Sequence, residues 1–322
     1  MVKLGNVLSL IGDWQKARDL YNEALLISGR LNDLQGSAAG QLAIAILLRN
    51  QGQFDDADAW FGRSRSNYEE INDSPGIGRV LQERGTLAAQ RGNTADAQKM
   101  WNESLIICRQ LGDDRSISAL LSNLGILARW KGDYESARRL YEESLEIRRE
   151  LGDRWGIAVS LANLGYLALH LGDLETARHR LDETVNINRE VGDRRNLANS
   201  LNELANVNRA EENYPAAEEL YRESLLIYQD LGDLRALAYL LEDFGSMAIV
   251  MGDGVRAMQL YGAAFALRER IGAPLPEADH EKLEIYLNQA RQALSEEDQS
   301  AAYKLGVSLS LEGAVQLALA HA

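Results

Sequence analysis

A pattern of small and aromatic residues returns every 40 residues along this chain and keeps its register over seven periods. Each period has a glycine, replaced once by a glutamate, then an alanine five residues later and an aromatic residue or leucine four residues after that. The alanines are Ala17, Ala57, Ala97, Ala137, Ala177, Ala217 and Ala257. Composition bias does not keep such a register, so the chain repeats one structural unit in tandem.

Within one period the residue order predicts a hairpin of two helices. Leu121 and Leu124 follow helical spacing on one apolar face. Gly132 can end this helix, and Asp133 can cap the next one. Gly125 costs the first helix about 1 kcal/mol relative to alanine, which indicates that a neighbouring helix passes too close for a side chain. Such hairpins bury their apolar faces by stacking.

The spacing of these residues resembles the tetratricopeptide repeat. The residues that carry the resemblance in one unit are Leu121, Leu124, Gly125, Ala128, Ala137, Tyr141 and Ser144. The late proline of that family is absent, and six residues are added between units, as in the longer repeats of bacterial signalling regulators and kinesin light chains. The resemblance implies an all-α, right-handed superhelical solenoid of stacked helix hairpins over residues 1–270, with an incomplete first repeat and about six further repeats.

Both ends of the chain depart from the repeat. Met1 falls at the first apolar repeat position without the preceding helix start, so we expect the chain to be a fragment of a longer protein. After residue 270 the period stops, and the prolines at 274 and 276 break the helix. Ser295 and Ser310 can cap two later helices. We expect residues 271–322 to form helices that cap the apolar face of the last hairpin.

The amino-acid pattern of the C-terminal end is similar to that of one class of regulator. The segments 260–264, 271–276 and 310–315 resemble the C-terminus of large bacterial multidomain signal-transduction ATPases that regulate transcription. In those proteins the repeat arm resembles a sensor, which binds a ligand or partner and releases the NTPase. The resemblance implies upstream NTPase and DNA-binding domains in a longer parent chain, and assigns neither ATP nor DNA binding to these 322 residues.

Composition excludes several partners. The net charge is −14, from 34 Lys and Arg against 48 Asp and Glu, and an acidic chain repels phosphate backbones. No apolar run is long enough to span a membrane, so we expect neither nucleic acid nor membrane as a direct partner. The single cysteine, Cys108, lies on an apolar helix face and is predicted to be a core residue, which fits a cytoplasmic location.

The motifs of enzymes and metal proteins are missing from the sequence. It contains no phosphate-binding loop, no G-x-S-x-G, no HExxH and no CxxC. The histidines at 170, 179, 280 and 321 are scattered. We therefore predict a non-catalytic protein with no metal and no cofactor.

The resemblance places the first helix of each hairpin on the concave face, where asparagines accumulate. Asparagine is a poor helix-interior residue, but its amide can pair with the backbone of an extended peptide. The candidate binding residues are Asn123, Arg129, Trp130, Asn163, Tyr166, His170, Asn199, Asn202, Asn206 and Arg209. Asn123 and Asn163 share a register that resembles an asparagine ladder in kinesin light chains and peptide-pheromone receptors, although other repeats place alanine or an acid there. The alternative is that these amides are only solvated.

Three functions are compatible with the sequence. The first is a sensor or regulatory arm that binds a peptide, a protein segment or a small ligand in the groove. The second is a stand-alone regulatory protein that controls a catalytic partner. The third is a structural scaffold, which leaves the asparagine-rich face unexplained.

Overall fold

The computed structural model describes residues 1–275, 277–292 and 294–320, which form seventeen α-helices and no strand. This confirms the predicted all-α fold of repeated helix hairpins. Pro276 and His321, which entered the sequence analysis, lie outside the described residues. Within the described ranges, no helix combines the length and the apolar character that crossing a membrane requires.

The helices fall into two compact units, which are described separately. The unit Met1–Asp153 contains α1 (Val2–Leu10), α2 (Trp14–Leu31), α3 (Leu34–Asn50), α4 (Phe54–Glu70), α5 (Ser74–Gln90), α6 (Thr94–Leu111), α7 (Asp114–Trp130) and α8 (Tyr134–Glu150). The unit that begins at Arg154 contains α9 (Arg154–His170), α10 (Leu174–Val191), α11 (Arg194–Ala210), α12 (Tyr214–Leu231), α13 (Leu234–Val250), α14 (Gly254–Ile271), α15 (Glu277–Gln292), α16 (Glu296–Ser308) and α17 (Leu311–Leu319).

The turn inside each hairpin has the predicted stop and start residues. Gly132 has a φ of 77°, which is in the left-handed region that glycine adopts without strain. The Asp133 carboxylate then accepts a hydrogen bond from the Ser136 backbone N–H at 3.1 Å and caps α8. Glu212, the one substitute for the glycine, has the same left-handed backbone, with a φ of 62°. The left-handed turn is therefore kept even at a glutamate, a residue type that disfavours this backbone conformation.

The small residues of the repeat lie where the two helices of a hairpin touch. Tyr141 and Ala137 of α8 are fully buried. A Cβ atom added to Gly125 of α7 would lie 2.5 Å from Tyr141 Cε1, which is closer than two carbon atoms can approach without a shift. The predicted close approach at Gly125 is therefore confirmed, and its cause is the aromatic ring of the following helix.

The serine of the repeat joins the same two helices through a buried hydrogen bond. The Ser64 hydroxyl of α4 donates to the Ala38 carbonyl of α3 at 2.8 Å. Other repeats form the same 2.8 Å bond between residues 26 apart, from Ser104 to Gly78, from Ser144 to Ser118 and from Ser224 to Ala198. A buried hydroxyl needs such a partner. These four repeats therefore have a residue here that is polar as well as small, whereas Ala24 and Ala264 occupy the same register in two others.

The last three helices pack on the final hairpin. Helix α16 lies directly against α14, because a Cβ atom on Gly306 would lie 1.9 Å from the Gln259 carbonyl oxygen. The carbonyl groups at the C-terminal end of helix α17 accept hydrogen bonds from two arginines of the repeats. Arg256 donates to the Ala318 carbonyl at 3.0 Å, and Arg222 donates to the Leu319 carbonyl at 2.8 Å. These contacts agree with a cap formed by residues 271–322, although the boundary and the capping role stay predictions.

The buried cysteine agrees with its predicted place. Cys108 is 5% exposed and packs in a cluster with Trp101, Leu105 and Leu121. Burial raises the pKa of the Cys108 thiol, and a hydrogen bond with Ser104 lowers it by less. The thiol therefore stays protonated at neutral pH and acts as a small apolar side chain.

We predict opposite effects on stability for one substitution at two helical glycines of the same unit. Gly125→Ala should destabilise the protein by about 1–3 kcal/mol, because the added methyl group meets the buried ring of Tyr141. Gly62→Ala in α4 has open space around it and should stabilise by roughly 0.5–1 kcal/mol through helix propensity. Chemical unfolding measures both, and two changes of the same sign would contradict the assigned packing.

Candidate functional site

An open cavity of about 620 Å³ lies over the first helices of the hairpins in the second unit. Helices α9, α11 and α13 form its floor. Tyr228 of α12 and Tyr286 of α15 also line it, so the cavity is not built from the first helices alone. Its lining combines asparagine amides, tyrosine rings and a few charged groups, which is the mixture expected of a site that binds a polar chain with apolar side groups.

The structure brings most of the predicted binding residues of this unit into the cavity. Those that line it are Tyr166, His170, Asn199, Asn202, Asn206 and Arg209. Asn163 lines a smaller cavity of about 220 Å³ that shares Asn199 and Glu203 with the first. Asn123, Arg129 and Trp130 lie on α7 of the first unit, where Trp130 is 59% exposed. The predicted role of all these residues in binding stays a prediction.

Two of the groove asparagines have a structural task. The Tyr221 hydroxyl donates to Asn206 Oδ1 at 2.6 Å, and the Tyr228 hydroxyl donates to Asn199 Oδ1. The pairing of Tyr221 with Asn206 has a counterpart in the first unit, where the Tyr21 hydroxyl donates to Asn6 Oδ1 at 2.8 Å. Burial raises the pKa of Tyr221 well above its usual value, so this hydroxyl stays a donor. These amides therefore satisfy buried tyrosines and are not reserved for a ligand.

Asn202 differs from these asparagines. Its Oδ1 atom is buried and accepts no hydrogen bond from the described residues. A buried acceptor without a partner carries a desolvation cost of about 1–3 kcal/mol. The Asn202 side chain also lines the cavity, so a rotation of its amide would turn this oxygen toward an occupant.

Arg209 is the second group of the cavity with an unused hydrogen-bonding atom. Its Nη1 atom is buried and donates to none of the described residues. Its guanidinium lies over the Tyr286 ring, with 5.5 Å between Cζ and the ring centroid. Burial lowers the pKa of Arg209, but the negative charges of nearby groups, Asp243 among them, outweigh burial and raise it. The side chain is therefore a permanent cation in the groove.

Tyr239 forms a rigid wall of the cavity. The Arg268 guanidinium lies over its ring at 4.1 Å from the centroid. Arg268 is itself held by two hydrogen bonds to the Glu242 carboxylate, of 2.7 and 2.9 Å. Burial lowers the pKa of Arg268, while this carboxylate raises it to a net value above the usual one. The ring of Tyr239 thus packs on an arginine that a buried ion pair holds in place.

Sequence reasoning did not place Tyr228 and Tyr286 in the site. Tyr228 belongs to the second helix of a hairpin, whereas the candidate residues were taken from the first helices, and Tyr286 lies beyond the last repeat. The spacing of Leu283, Tyr286 and Leu287 on α15 was a signal, because residues three and four apart share one helix face. That face packs in a cluster with Tyr261 of α14.

No metal-binding site is evident in residues 1–275, 277–292 and 294–320. No group of three or more His, Cys, Asp and Glu side chains in these ranges is arranged to hold a metal ion.

Comparisons with known proteins agree with this architecture. A sequence model described as tetratricopeptide repeat matches residues 1–70, 76–150, 116–190 and 156–230. No curated protein sequence gives a significant match to the chain.

Several solved structures are similar in fold. The apo form of the quorum sensor NprR from B. thuringiensis has a TM-score of 0.69 and 16% identity, over 95% of this chain and 85% of that one. A Signal Transduction ATPase with Numerous Domains from Pyrococcus horikoshii, with a tetratricopeptide repeat sensor, has a TM-score of 0.69 and 19% identity. The match covers 88% of this chain and 43% of that one. The Rap conjugation gene regulator of plasmid pLS20, solved with the Phr* peptide, has a TM-score of 0.59 and 16% identity, over 97% and 76%. Identities this low show a shared fold alone.

The two kinds of groove asparagine should respond differently to truncation. Asn206→Ala leaves the buried Tyr221 hydroxyl without its acceptor and should destabilise the protein by about 1–3 kcal/mol. Asn163→Ala, at a residue for which no such bond is described, should stay within about 0.5 kcal/mol of the parent. Adding Tyr221→Phe to Asn206→Ala should recover most of the loss. Equal stability of both single variants, measured by urea unfolding, would refute the structural role of Asn206.

Proposed function

Since the chain belongs to the tetratricopeptide-repeat family, we propose that it is a non-catalytic binding module that holds an extended peptide or protein segment in the groove of α9, α11 and α13. The observation that carries this proposal is Asn202, which lines the cavity and whose buried Oδ1 atom accepts no hydrogen bond from the described residues. An extended peptide has a row of backbone N–H groups, which are the donors that such an acceptor needs.

The remainder of the cavity suits the same occupant. Tyr166 and Tyr239 offer apolar rings on which peptide side chains can pack. Tyr239 is held in place by Arg268, so its surface is available without a large loss of side-chain entropy on binding. A volume of about 620 Å³ accommodates a short segment of an extended chain, although it also lies within the usual range of small-molecule sites. Asn123, Arg129 and Trp130 lie on α7 of the first unit, where their role in binding is a separate prediction.

The similar structures support a regulatory setting for the binding. One of them is a conjugation gene regulator solved with a peptide, one is a quorum sensor, and one has a tetratricopeptide repeat as its sensor. Within this proposal the chain is the sensor arm of a bacterial cytoplasmic regulator, and occupancy of the groove is the signal that it passes to its other domains or partners. Proteins with this fold are typically non-catalytic, which agrees with the predicted absence of enzymatic activity.

A display selection followed by matched variants tests the proposal. Peptides selected from a random decapeptide library on the full chain are synthesised, and their affinities are measured by fluorescence anisotropy. Asn202→Ala should weaken binding about fivefold or more, which corresponds to one lost hydrogen bond of about 1 kcal/mol. Its stability should not fall below that of the parent, because the oxygen makes no bond in the free protein and its removal relieves a desolvation cost.

The control is Glu219→Ala, at an exposed residue of α12 on the second helix of its hairpin. It should leave affinity unchanged. Peptides whose affinity falls with Glu219→Ala and not with Asn202→Ala would move the binding surface to the outer helices and contradict the proposal.

A further inference from the structure

The smaller cavity of the second unit, of about 220 Å³, is bounded by the second helix α10 as well as by the first helices α9 and α11. We call it the amide pocket, because the asparagines at 163, 188, 196 and 199 line it. Glu203 is the only charged residue among the described residues of this lining. The volume is smaller than that of most sites that enclose a whole ligand. The amide pocket therefore suits one polar group of a larger molecule.

Asn188 of α10 brings a buried acceptor without a donor to the amide pocket. Its side chain is 1% exposed. Its Nδ2 atom donates to Ser200 Oγ at 3.2 Å, and the Ser200 hydroxyl donates to the Asn196 carbonyl at 2.7 Å. Because the hydroxyl hydrogen is used there, Ser200 can only accept from Asn188, which fixes the orientation of the Asn188 amide. Its Oδ1 atom is left buried and accepts no hydrogen bond from the described residues.

The space in the amide pocket follows from two short side chains in the repeat. Arg268 and Glu242 stand two repeats of 40 residues after Asn188 and Ala162. These two longer side chains are buried and join α14 to α13 through hydrogen bonds of 2.7 and 2.9 Å. In the hairpin of α9 and α10, asparagine and alanine take their places and bring neither charged group. An amide-lined cavity is therefore present where the later hairpin has an ion pair.

The amide pocket adjoins the larger cavity of the groove. Asn199 and Glu203 line both. Asn199 Oδ1 already accepts a hydrogen bond from the Tyr228 hydroxyl, so Asn188 is the buried amide of this lining that still lacks a donor. A peptide in the larger cavity can therefore place one side chain in the amide pocket.

We propose that the amide pocket binds the side-chain carboxamide of a glutamine in the bound peptide. The carboxamide NH₂ group supplies the donor that Asn188 Oδ1 lacks, and its oxygen can accept from the side-chain amide of Asn163. The two methylene groups of glutamine can pack on Ala162 and Leu181, which also line the pocket. The proposal rests on the proposed function, since it names one side chain of a peptide in the same groove.

The same lining disfavours the acid of the same size. A glutamate side chain would bring only acceptors to the buried acceptor of Asn188. It would also place a second negative charge beside Glu203, without an Arg, Lys or His among the described residues of the lining. Glutamine should therefore bind more tightly than glutamate, although the two have nearly the same shape.

Side-chain NMR of the full chain tests the pocket without any selected peptide. The Asn188 Nδ2 signals of protein labelled with ¹⁵N-asparagine, assigned with Asn188→Ser, are followed while N-acetylglutamine methylamide is added. This compound should shift the signals in a saturable way, and the matched glutamate and lysine compounds should not. Shifts as large with either of these two would overturn the proposal. No saturable shift with any of the three would mean that the pocket holds only solvent, and would overturn it as well.

Selected peptides then test whether the pocket reads a side chain. Peptides selected on the full chain should share a glutamine at one position, and its replacement by glutamate should weaken binding to the parent about tenfold or more. The double variant Ala162→Glu with Asn188→Arg copies the ion pair of Glu242 and Arg268 and fills the pocket. It should bind the glutamine and glutamate peptides with affinities within about twofold of each other. Selected peptides without a shared glutamine would overturn the proposal.

Two further variants serve as controls. Asn202→Ala, outside the lining of the amide pocket, should weaken both peptides and keep the preference for glutamine. If the double variant fails to fold, Ala162→Leu fills the pocket from a half-buried position and should remove the preference in its place. A preference for glutamine that persists in a filled pocket would overturn the proposal.

The two proposals fail in different ways. A saturable shift of the Asn188 signals with the glutamine compound, without any peptide binding, would leave the carboxamide site standing and remove the extended peptide as its occupant. Peptide binding that depends on Asn202 but shows no preference for glutamine would leave the proposed function standing and remove the carboxamide site.

Discussion

The two helices of each hairpin approach until a small residue of the first meets a bulky side chain of the second. In the first unit this contact joins Gly125 to Tyr141, and in the second unit it joins Gly245 to Tyr261, where an added Cβ would lie 2.7 Å from Cε1. The contact sets the distance between the helices. Because the residue facing the ring is small, the tyrosine ring extends past it. The tyrosine hydroxyl therefore reaches the groove side of the hairpin.

The groove chemistry follows from that arrangement. The residue after the small position accepts the hydroxyl, as Asn206 does from Tyr221 and Asn6 does from Tyr21. In the repeat with Tyr261 the same position is Ser246, whose Oγ lies 3.2 Å from the tyrosine hydroxyl. Polar groove residues thus serve both the core and the surface. Asn202 and Arg209 differ from these residues, because each has a buried side-chain atom that forms no hydrogen bond with the described residues.

The fold could be predicted from the sequence because its constraints are local and repeated seven times. Gly132 and Asp133 specify a helix end and a helix start through their own backbone and side-chain preferences. The contact of Gly306 with Gln259 is different, because α16 and α14 follow no repeat. No spacing of residues predicts how close the helices come at that crossing, and only the packed backbones show why glycine is required.

The site was predictable in part. Helical register was enough to put Asn199, Asn202, Asn206 and Arg209 on one face, because that face follows from counting residues. Helical register did not distinguish Asn206, which accepts from a tyrosine hydroxyl, from Asn202, which does not. This difference depends on the positions of the tyrosine hydroxyls. The contact of the Arg209 guanidinium with the Tyr286 ring depends on a helix outside the period. The packing direction of such a helix does not show in a repeat pattern.

Amide hydrogen exchange of the full chain, with and without a peptide selected on it, tests the central claim that the ligand lies on the first helices of the hairpins. Exchange reports the local opening of each helix, and a bound segment slows it where it lies. The account predicts slower exchange in α9, α11 and α13, together with α15 around Tyr286. Slower exchange confined to α10, α12 and α14 would place the ligand on the outer face and contradict the account.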